Sequence, residues 1–497
     1  MVVTYKNNRF IPIAITTICA VLFFLLINPS LETPKAQLAK LTGHKSNNTA
    51  PSHSPETTQQ AVALPDRGGA IRTDDVLLIL KTGSTTMWKR MLSHIPTSLA
   101  SERIAQKNTV IYSDSSDILG SFSIIDVLAN LTDEAKSAPE FETYRQIPKY
   151  RENNKYFEAA GVEGDEDGPS GGWILDKYKF LPIFQHAGLN WPDAKWYIYM
   201  EDDTYLFLPS VLKHLSSFDW REPHYLGSYA AKSDAVFAHG GAGFALSRGA
   251  WEKSFGRNPN IVNEYHDYAV SHCCGDQVLA HVLKQYDIEF GENGGDKKFT
   301  WGFNPLNHWT FRFDTSNWCR PLMSWHKVHN RDVAQFYEFE KNWDSNETLL
   351  HRDFFNSMIL PSIQKPVEWW DNTAAKYEMN SFKEDGPSPS GNFDLDLWKK
   401  SWQSAEACEA ACKGWDECME WTFVEDLCKL DDGLVMGQGY APAMWQRKTS
   451  LKHTSGWVPE RLDRWCCARH IPAPASFDKI VTFRPSYSVK NCGNFPR

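Results

Sequence analysis

The chain has one long apolar run near its N-terminus, followed by several shorter ones. The long run, 10–27, follows Lys6 and Arg9, and about 18 residues of α-helix rise about 27 Å, enough to cross a bilayer core. Basic residues on its N-terminal side predict a signal-anchor, with 1–9 in the cytoplasm and the rest of the chain in the lumen. A cleaved signal peptide is the alternative, but the run is longer than a usual signal-peptide core and 27–30 lacks a small-x-small cleavage site.

The shorter apolar runs alternate with segments of helical spacing. Residues 75–80 and 108–114 are typical of buried strands, and 196–200 is a third such run that leads directly into acidic residues. Helical spacing occurs at 85–99 and 173–186. Strands that alternate with helices predict an α/β layered domain, in which ligands bind beyond the carboxyl ends of the strands. The candidate ligand-binding residues at those ends are Lys81, Thr82, Gly83, Ser113, Asp114, Glu201, Asp202 and Asp203.

Changes of composition divide the rest of the chain. The segment 28–72 is rich in Ser, Thr, Pro, Gln and Ala and predicts a flexible stem. The segment 359–393 contains several Pro, Gly and Ser residues and predicts a linker. We therefore expect an α/β domain at 73–358, a Cys-rich unit at 394–470 and a C-terminal tail at 471–497.

Composition excludes one class of partner and indicates a compartment. A net charge of −9 argues against nucleic-acid binding, which requires a basic face. Cys19 lies in the long apolar run, and most other cysteines lie from Cys408 onward, which predicts a disulfide framework in an oxidising compartment. Zinc binding is the alternative, but the usual CxxC spacing does not occur. Glycosylation sequons begin at Asn47, Asn130 and Asn346 and agree with a lumenal position.

Three adjacent acids, Glu201, Asp202 and Asp203, follow an apolar strand. Packed carboxylates repel one another unless a cation neutralises them, and hard cations such as Mn²⁺ or Mg²⁺ prefer oxygen ligands. The same cation neutralises the charge that grows on a departing nucleoside diphosphate. The cluster therefore predicts a metal and nucleotide-sugar site, and a solvated turn is the alternative.

Further candidate residues follow the acids along the chain. Gly240 and Gly241 permit close approach of the backbone to a ligand, or else form a tight turn beside the sheet. Asp276 opens a predicted helix and is either a general base or a first-turn acid favoured by the helix dipole. His326 is a candidate metal ligand, with a purely structural role as the alternative.

The segment 196–207, followed by 239–247, resembles the Fringe and core-1 β1,3-galactosyltransferase superfamily and is most similar to its fungal members. The strings EDDTY at 201–205 and GGAGF at 240–244 carry the resemblance, which covers 75–329. It implies a GT-A fold (a Rossmann-like α/β glycosyltransferase fold), a UDP-sugar donor and an inverting mechanism.

The resemblance also implies roles for individual residues. Asp203 matches the acid that binds Mn²⁺, His326 the downstream metal-binding His and Asp276 the catalytic base. Glu264 and Asp267 are the alternatives for the base, because the sequence around Asp276 departs from the acidic pair of the family. The resemblance further implies that the residues in contact with the nucleotide-sugar are Lys81, Thr82, Gly83, Ser113, Asp114, Glu201, Asp202, Gly240 and Gly241.

The Cys-rich unit resembles a PAN/Apple module. The residues that carry this resemblance are 405–408, Cys412, Cys418, Trp421 and Cys428. It implies a small disulfide-braced α+β fold with one helix, which binds carbohydrate or protein. A stabilising appendage without a ligand is the alternative.

These features predict a single-pass type II membrane glycosyltransferase whose catalytic domain is lumenal. A short anchor followed by a stem is usual for transferases of the Golgi, so we expect the Golgi membrane. The expected reaction transfers a hexose from a UDP-sugar to a glycan or glycoprotein acceptor with inversion, in a β1,3 linkage, with Mn²⁺ or Mg²⁺ as cofactor. Two other classes stay open: a carbohydrate-binding or adhesion protein with a degenerate transferase domain, and a metal-independent glycoside hydrolase.

Overall fold

A computed structural model describes residues 69–152, 172–232, 235–290, 302–344, 346–382, 388–439 and 451–465. Within these ranges no helix combines the length and the apolar character that crossing a bilayer requires. The predicted signal-anchor at 10–27 lies outside them, as do the C-terminal tail and nearly all of the predicted stem.

The N-terminal part of the described chain is a mixed α/β domain. Its strands are β1 (Val76–Lys81), β2 (Thr109–Ser113), β3 (Asp117–Leu119), β4 (Phe122–Asp126), β5 (Trp196–Glu201), β6 (Tyr205–Leu206), β7 (Tyr225–Gly227), β8 (Tyr229–Lys232), β9 (Ala235–Ala238) and β10 (Phe244–Ser247). Its helices are α1 (Met87–Arg90), α2 (Asp133–Ser137), α3 (Glu142–Glu152), α4 (Gly172–Asn190), α5 (Leu208–Leu215), α6 (Arg248–Lys253), α7 (Ile261–Glu264), α8 (His266–Ser271) and α9 (Gly275–Gln285).

A central sheet joins seven of these strands within the described residues, in the order β3-β4-β2-β1-β5-β10-β7. Strand β1 pairs in parallel with β2 and β5, and β2 pairs in parallel with β4. Strand β10 runs antiparallel to both β5 and β7. The fold is thus the mixed α/β architecture with a parallel central sheet that the sequence predicts.

The two central strands, β1 and β5, are buried on both faces. Every residue of β1 is buried, and β5 is buried as far as Met200. Successive residues of a strand point to opposite faces, so Leu77 belongs to the core layer that contains residues of α4 and α9, and Leu78 to the opposite layer. A parallel strand covered on both faces has a continuous apolar sequence, which explains why these strands are recognisable from the sequence.

The predicted helix at 85–99 is wrong over most of its length. In this described segment the chain forms α1 and then a 3₁₀ turn at Met91–Ser93. Pro96 has no N–H to donate, and the Thr97 hydroxyl donates to the Ser93 carbonyl. Such local side-chain bonds compete with helical hydrogen bonding.

A second, three-stranded sheet pairs a later segment of the chain with β6, which follows the central strand β5. Strand β11 (Phe303–Asn304) pairs in parallel with β12 (Ser324–Trp325), and β12 pairs antiparallel with β6, so that Trp325 lies opposite Tyr205. His326 directly follows β12, so this pairing brings His326 close to the acids that precede β6. Helices α10 (Asn330–Asn342) and α11 (His351–Phe354) follow.

The C-terminal part is an antiparallel sheet braced by disulfides. Its elements are β13 (Val367–Glu368), β14 (Trp370–Asp371), β15 (Tyr377–Met379), α12 (Leu395–Lys400), α13 (Ala405–Gly414), β16 (Glu420–Val424), β17 (Leu427–Asp431), β18 (Gln438–Gly439) and β19 (His453–Trp457). Five of the strands form one sheet in the order β13-β19-β16-β17-β15 among the residues described. Disulfides join Cys408 to Cys428 and Cys412 to Cys418, so both start from α13. The predicted disulfides are confirmed, and the resemblance to a PAN/Apple module stays a prediction.

The segment 359–393 differs from the linker that its composition predicts. It supplies β13 and β15, the two edge strands of the C-terminal sheet. Asn372 is fully buried, and its side chain donates to the carbonyls of Trp421 and Gly456. The Pro, Gly and Ser residues that the structure describes lie before β13, at 361–366, or after β15, at 381 and 388–391, and so flank short strands of a packed sheet. Outside these elements, short 3₁₀ or π turns lie at Thr73–Asp75, Gln106–Asn108, Pro139–Phe141, Gly240–Ala242, Phe355–Ile359, Leu360–Ser362, Ser401–Gln403 and Pro459–Arg464.

Candidate active site

The carboxyl ends of β1 and β5 hold the first charged pair of the site. Lys81 ends β1 and lies opposite Glu201, the last residue of β5. The Lys81 Nζ is 3.2 Å from Glu201 Oε1, and the Tyr199 hydroxyl donates to the same oxygen at 3.1 Å. Burial opposes the charged form of Lys81, but Asp176 and Glu201 outweigh it and raise the pKa of Lys81. A buried ammonium group therefore holds Glu201 at the sheet edge.

Glu201, Asp203 and His326, here called the triad, offer three ligand atoms within 4.8 Å of one another. The Nε2 atom of His326 lies 3.4 Å from Asp203 Oδ1. Its other nitrogen, Nδ1, lies 3.0 Å from the carbonyl oxygen of Pro305. Because a carbonyl only accepts, Nδ1 carries a proton and Nε2 faces Asp203. A metal-binding His is typically held in this way by a backbone carbonyl on its second nitrogen.

One oxygen of Asp203 lacks a hydrogen-bond donor. Its Oδ1 is buried without a hydrogen bond among the described residues, since the 3.4 Å contact with His326 is long for one. Burial would raise the pKa of Asp203, but His326 and then Arg90 hold it well below its ordinary value. A buried, ionised oxygen without a donor is costly. Two carboxylates and one imidazole fit a divalent cation, which would satisfy that oxygen.

Asp202 makes contacts different from those of its two neighbours. Its Oδ2 accepts hydrogen bonds from the hydroxyls of Thr82 at 2.7 Å and Thr86 at 3.0 Å. Arg90 Nη1 lies 3.2 Å from Asp202 Oδ1 and 3.1 Å from Asp203 Oδ2. Asp202 therefore anchors the loop after β1, and Arg90 joins that loop to the triad. Neither Thr86 nor Arg90 belongs to a sequence pattern that indicates a site.

A line of alternating charges extends from the triad through α4. Lys81 Nζ lies 2.5 Å from Asp176 Oδ2, Asp176 Oδ1 lies 2.7 Å from Lys179 Nζ, and that Nζ lies 2.9 Å from Asp114 Oδ2. With Glu201 at its other end, the line connects the ends of β5, β1 and β2. Nothing in the sequence distinguishes Asp176 and Lys179 as site residues, because an acid and a base three residues apart are also typical of a solvated helix face.

The remaining strand-end residues meet at the edge formed by the loops after β1 and β2. Asp114 Oδ1 accepts the Ser84 N–H at 2.7 Å, and the Thr82 N–H donates to the Tyr112 carbonyl at 2.9 Å. A methyl group at Gly83 would lie 3.8 Å from Asp114 Oδ2, so the two loops are in contact. Ser113, the last residue of β2, is fully buried, and its hydroxyl lies 3.4 Å from Asp114 Oδ1.

The glycine-rich segment packs directly against the triad. A methyl group at Gly241 would lie 2.2 Å from His326 Nε2. One at Gly240 would lie 3.1 Å from Glu201 Oε1 and 3.4 Å from Asp276 Oδ2. At Gly241 only a residue without a side chain fits. The carboxylates of Glu201 and Asp276 thus face the same small space beside Gly240.

Asp276 lies in the first turn of α9 and reaches the glycine-rich segment. Its Oδ2 accepts the Gly240 N–H at 2.8 Å, and its Oδ1 accepts the Gln277 N–H at 2.9 Å. Burial raises the pKa of Asp276 above its ordinary value; the Gly240 N–H and His239 oppose this shift, and Glu201 adds to it. A carboxylate with a raised pKa beside a candidate donor site is suited to act as a base.

Other predicted positions lie apart from this constellation or outside the described residues. Glu264, an alternative for the base, instead accepts a hydrogen bond from Asn258 at 2.6 Å. Asn130 and Asn346 are exposed, as glycan acceptors must be, and Asn47 falls outside the described residues.

Fold and site together define a mixed α/β domain with a carboxylate–imidazole centre at the carboxyl ends of its parallel strands. A family model described as Fringe-like matches residues 71–285, which contain the central sheet, the acidic strand end, the glycine-rich segment and α9. This domain belongs to the Fringe/β1,3-glycosyltransferase superfamily, and that family implies a glycosyltransferase. The match ends before His326, so the position of His326 at the centre rests on the β12–β6 pairing and the distances given above.

Proposed function

We propose that the chain transfers a hexose from a UDP-sugar to an acceptor glycan with inversion, in a β1,3 linkage of the galactosyltransferase type. One observation carries the proposal: Glu201, a member of the triad, and Asp276 face the same space beside Gly240. A donor diphosphate bound at the triad and an acceptor hydroxyl bound at Asp276 would then be neighbours. Such juxtaposition is what a single displacement between two bound sugars requires.

Glu201, Asp203 and His326 are the residues that would hold Mn²⁺ or Mg²⁺. When bound, such a cation neutralises the charge that develops on a diphosphate leaving group. Two observations support this assignment: Asp203 Oδ1 accepts no hydrogen bond from the described residues, and His326 Nε2 faces Asp203. Lys81 holds Glu201 in place and balances its charge.

Asp276 acts as the general base in this proposal. Its carboxylate takes the proton of an acceptor hydroxyl as the hydroxyl oxygen bonds to the anomeric carbon. The bond from that carbon to the UDP oxygen breaks, and UDP leaves with the electron pair. A single displacement inverts the anomeric centre, so a UDP-α-sugar gives a β-glycoside.

We further propose that the reaction takes place in the Golgi lumen and that 10–27 anchors the chain as a type II membrane protein. The disulfides of the C-terminal part support an oxidising compartment. The exposed sequons at Asn130 and Asn346 agree with it. The C-terminal part is proposed to bind carbohydrate or protein, as its resemblance to PAN/Apple modules implies.

The decisive experiment titrates the full chain, purified in detergent, with a panel of UDP-sugars by calorimetry, first with Mn²⁺ and then with EDTA. We expect metal-dependent binding of one UDP-sugar, and loss of that binding in Asp203→Ala with an unchanged unfolding curve. A folded protein that binds no nucleotide would instead support the carbohydrate-binding alternative. Cleavage of glycosides in the presence of EDTA would support the hydrolase.

A further inference from the structure

Cys273 and Cys274 are adjacent in the sequence and are joined to each other by a disulfide. Both residues are half-buried. Helix α9 begins at the next residue, Gly275, and Asp276 follows. The disulfide therefore lies two residues before the carboxylate to which the proposed function assigns the role of base.

This disulfide is poorly suited to stabilise the fold as a whole. Stabilisation by a cross-link grows with the length of the loop that it closes. Cys408 and Cys428 are 20 residues apart, whereas Cys273 and Cys274 have a separation of 1. The vicinal bond instead closes a small ring with the peptide group between its two residues. Its physical effect is to restrict the backbone locally, at the start of α9.

The turn restricted by this ring is held on two sides. Gly275 packs so closely on Phe180 that a methyl group at Gly275 would lie 2.2 Å from Phe180 Cδ2. On the other side, Lys232 Nζ lies 2.9 Å from Cys273 Sγ, and the Lys232 carbonyl accepts a hydrogen bond from the Gln277 side chain at 3.2 Å.

Lys232 connects the disulfide to the glycine-rich segment. It ends β8, which pairs with β9, and His239 and Gly240 directly follow β9. The Gly240 N–H in turn donates to Asp276 at 2.8 Å. One closed circuit of contacts thus joins the ring before α9, the paired strands β8 and β9, and the hydrogen bond between Gly240 and Asp276.

We propose that the Cys273–Cys274 disulfide is a positioning element that holds Asp276 against Gly240 in the orientation needed for proton transfer. The inference rests on the proposed role of Asp276 as the base. When the ring is opened, rotation about its bonds is restored and the hydrogen bond from Gly240 to Asp276 weakens. A misplacement of about 1 Å costs about 100-fold in rate, so turnover falls while the fold and the donor site persist.

The first test compares the wild-type full chain with the variant Cys273→Ser/Cys274→Ser. The substrates are UDP-galactose with Mn²⁺ and p-nitrophenyl α-N-acetylgalactosaminide. We expect kcat to fall about tenfold or more, with the KM for UDP-galactose and the unfolding midpoint nearly unchanged. An unchanged kcat, or a parallel loss of stability and donor affinity, overturns the proposal.

A dithiol reductant supplies the control for the other disulfides. It converts the vicinal disulfide to two thiols and is itself oxidised to a disulfide. Mild treatment is expected to lower the wild-type kcat to that of the double variant and to leave the variant unchanged. A further loss in the variant would show that the dithiol acts through other bonds, and a wild-type kcat that survives confirmed opening of the ring refutes the proposal.

The second test needs no substrate. Hydrogen–deuterium exchange is compared between wild type and the double variant for peptides that cover 239–243, with peptides that cover 420–431 as the internal control. We expect faster exchange at 239–243 and unchanged exchange at 420–431, because the Gly240 N–H loses a fixed acceptor. Unchanged exchange there overturns the positioning role. If exchange at 239–243 is faster in the double variant but the wild type binds no UDP-sugar, the proposed function is refuted, whereas the positioning of Asp276 by the disulfide is supported.

Discussion

The replacement of Gly241 by Ala tests whether the triad is a metal centre. The added methyl group would lie 2.2 Å from Nε2 and 2.3 Å from Cε1 of His326, where ordinary contact begins at 3.4 Å. The imidazole must therefore retreat by about 1 Å, whereas metal–ligand distances tolerate only about 0.2 Å. The substitution leaves every proposed ligand in the chain and moves one of them out of reach.

The expected magnitude follows from the loss of a positioned ligand. Changes that misplace a ligating His typically cost about 10- to 100-fold in metal affinity. That range corresponds to about 1.4–2.7 kcal/mol of binding free energy. Calorimetric titration with Mn²⁺ alone measures it directly. In the absence of nucleotide, Gly83→Ala is the matched control at the same sheet edge, because Gly83 is a predicted nucleotide contact rather than a metal ligand and its methyl group would find only ordinary contacts, at 3.5 Å and beyond.

A double-mutant cycle separates the proposed clash from a general disturbance. If Gly241→Ala acts through His326, then combining it with His326→Ala costs no more Mn²⁺ affinity than His326→Ala alone. Additive losses would mean that the methyl group acts elsewhere. Wild-type Mn²⁺ affinity in Gly241→Ala would refute the assignment of His326 as a ligand.

Three further predictions concern charged groups. Asp276→Asn is expected to abolish turnover while UDP affinity is kept, and wild-type kcat should decline as pH falls through the raised pKa of Asp276; pH–rate profiles and calorimetry check both. Asp176→Asn leaves the Lys81 ammonium without its closest carboxylate and should lower the free energy of unfolding by about 2 kcal/mol. The loss is smaller than for a fully buried pair because Asp176 is 30% exposed. Denaturant titration measures it. Glu420 is fully buried, its Oε1 has no hydrogen-bond partner among the described residues, and burial raises its pKa well above 4.5. Above pH 4.5 the unfolded chain releases this proton while the folded chain keeps it, so wild-type stability falls as pH rises. Between pH 5 and pH 8 the variant Glu420→Gln should therefore lose less stability than the wild type. Equal losses in the two proteins would refute the argument.

The sequence predicts the parts of the site that depend on strand periodicity. The central strands are covered on both faces and therefore stand out as unbroken apolar runs, and their polar ends locate Lys81 and Glu201. Contacts across distant segments leave no such signal. His326 reaches the triad only because β12 pairs with β6, and here a family resemblance supplied what local pattern did not. Lys179 is fully buried and Asp176 is half-buried where the loops after β1 and β2 reach α4, and nothing in their spacing reveals this.

The three adjacent acids show that neighbouring residues of one motif have different roles. Glu201 and Asp203 belong to the triad, whereas Asp202 accepts hydrogen bonds from Thr82 and Thr86. Only Glu201 belongs to β5; Asp202 and Asp203 lie in the turn that follows, which the Thr204 N–H closes on the Glu201 carbonyl at 3.1 Å. This turn leaves the first and third acids at the centre and directs the second to the loop after β1, so the three adjacent carboxylates do not all serve one cation. An acidic triplet at a strand end is therefore better understood as two candidate ligands and one anchor, and the anchor fixes the loop that carries Arg90 to within 3.1 Å of Asp203.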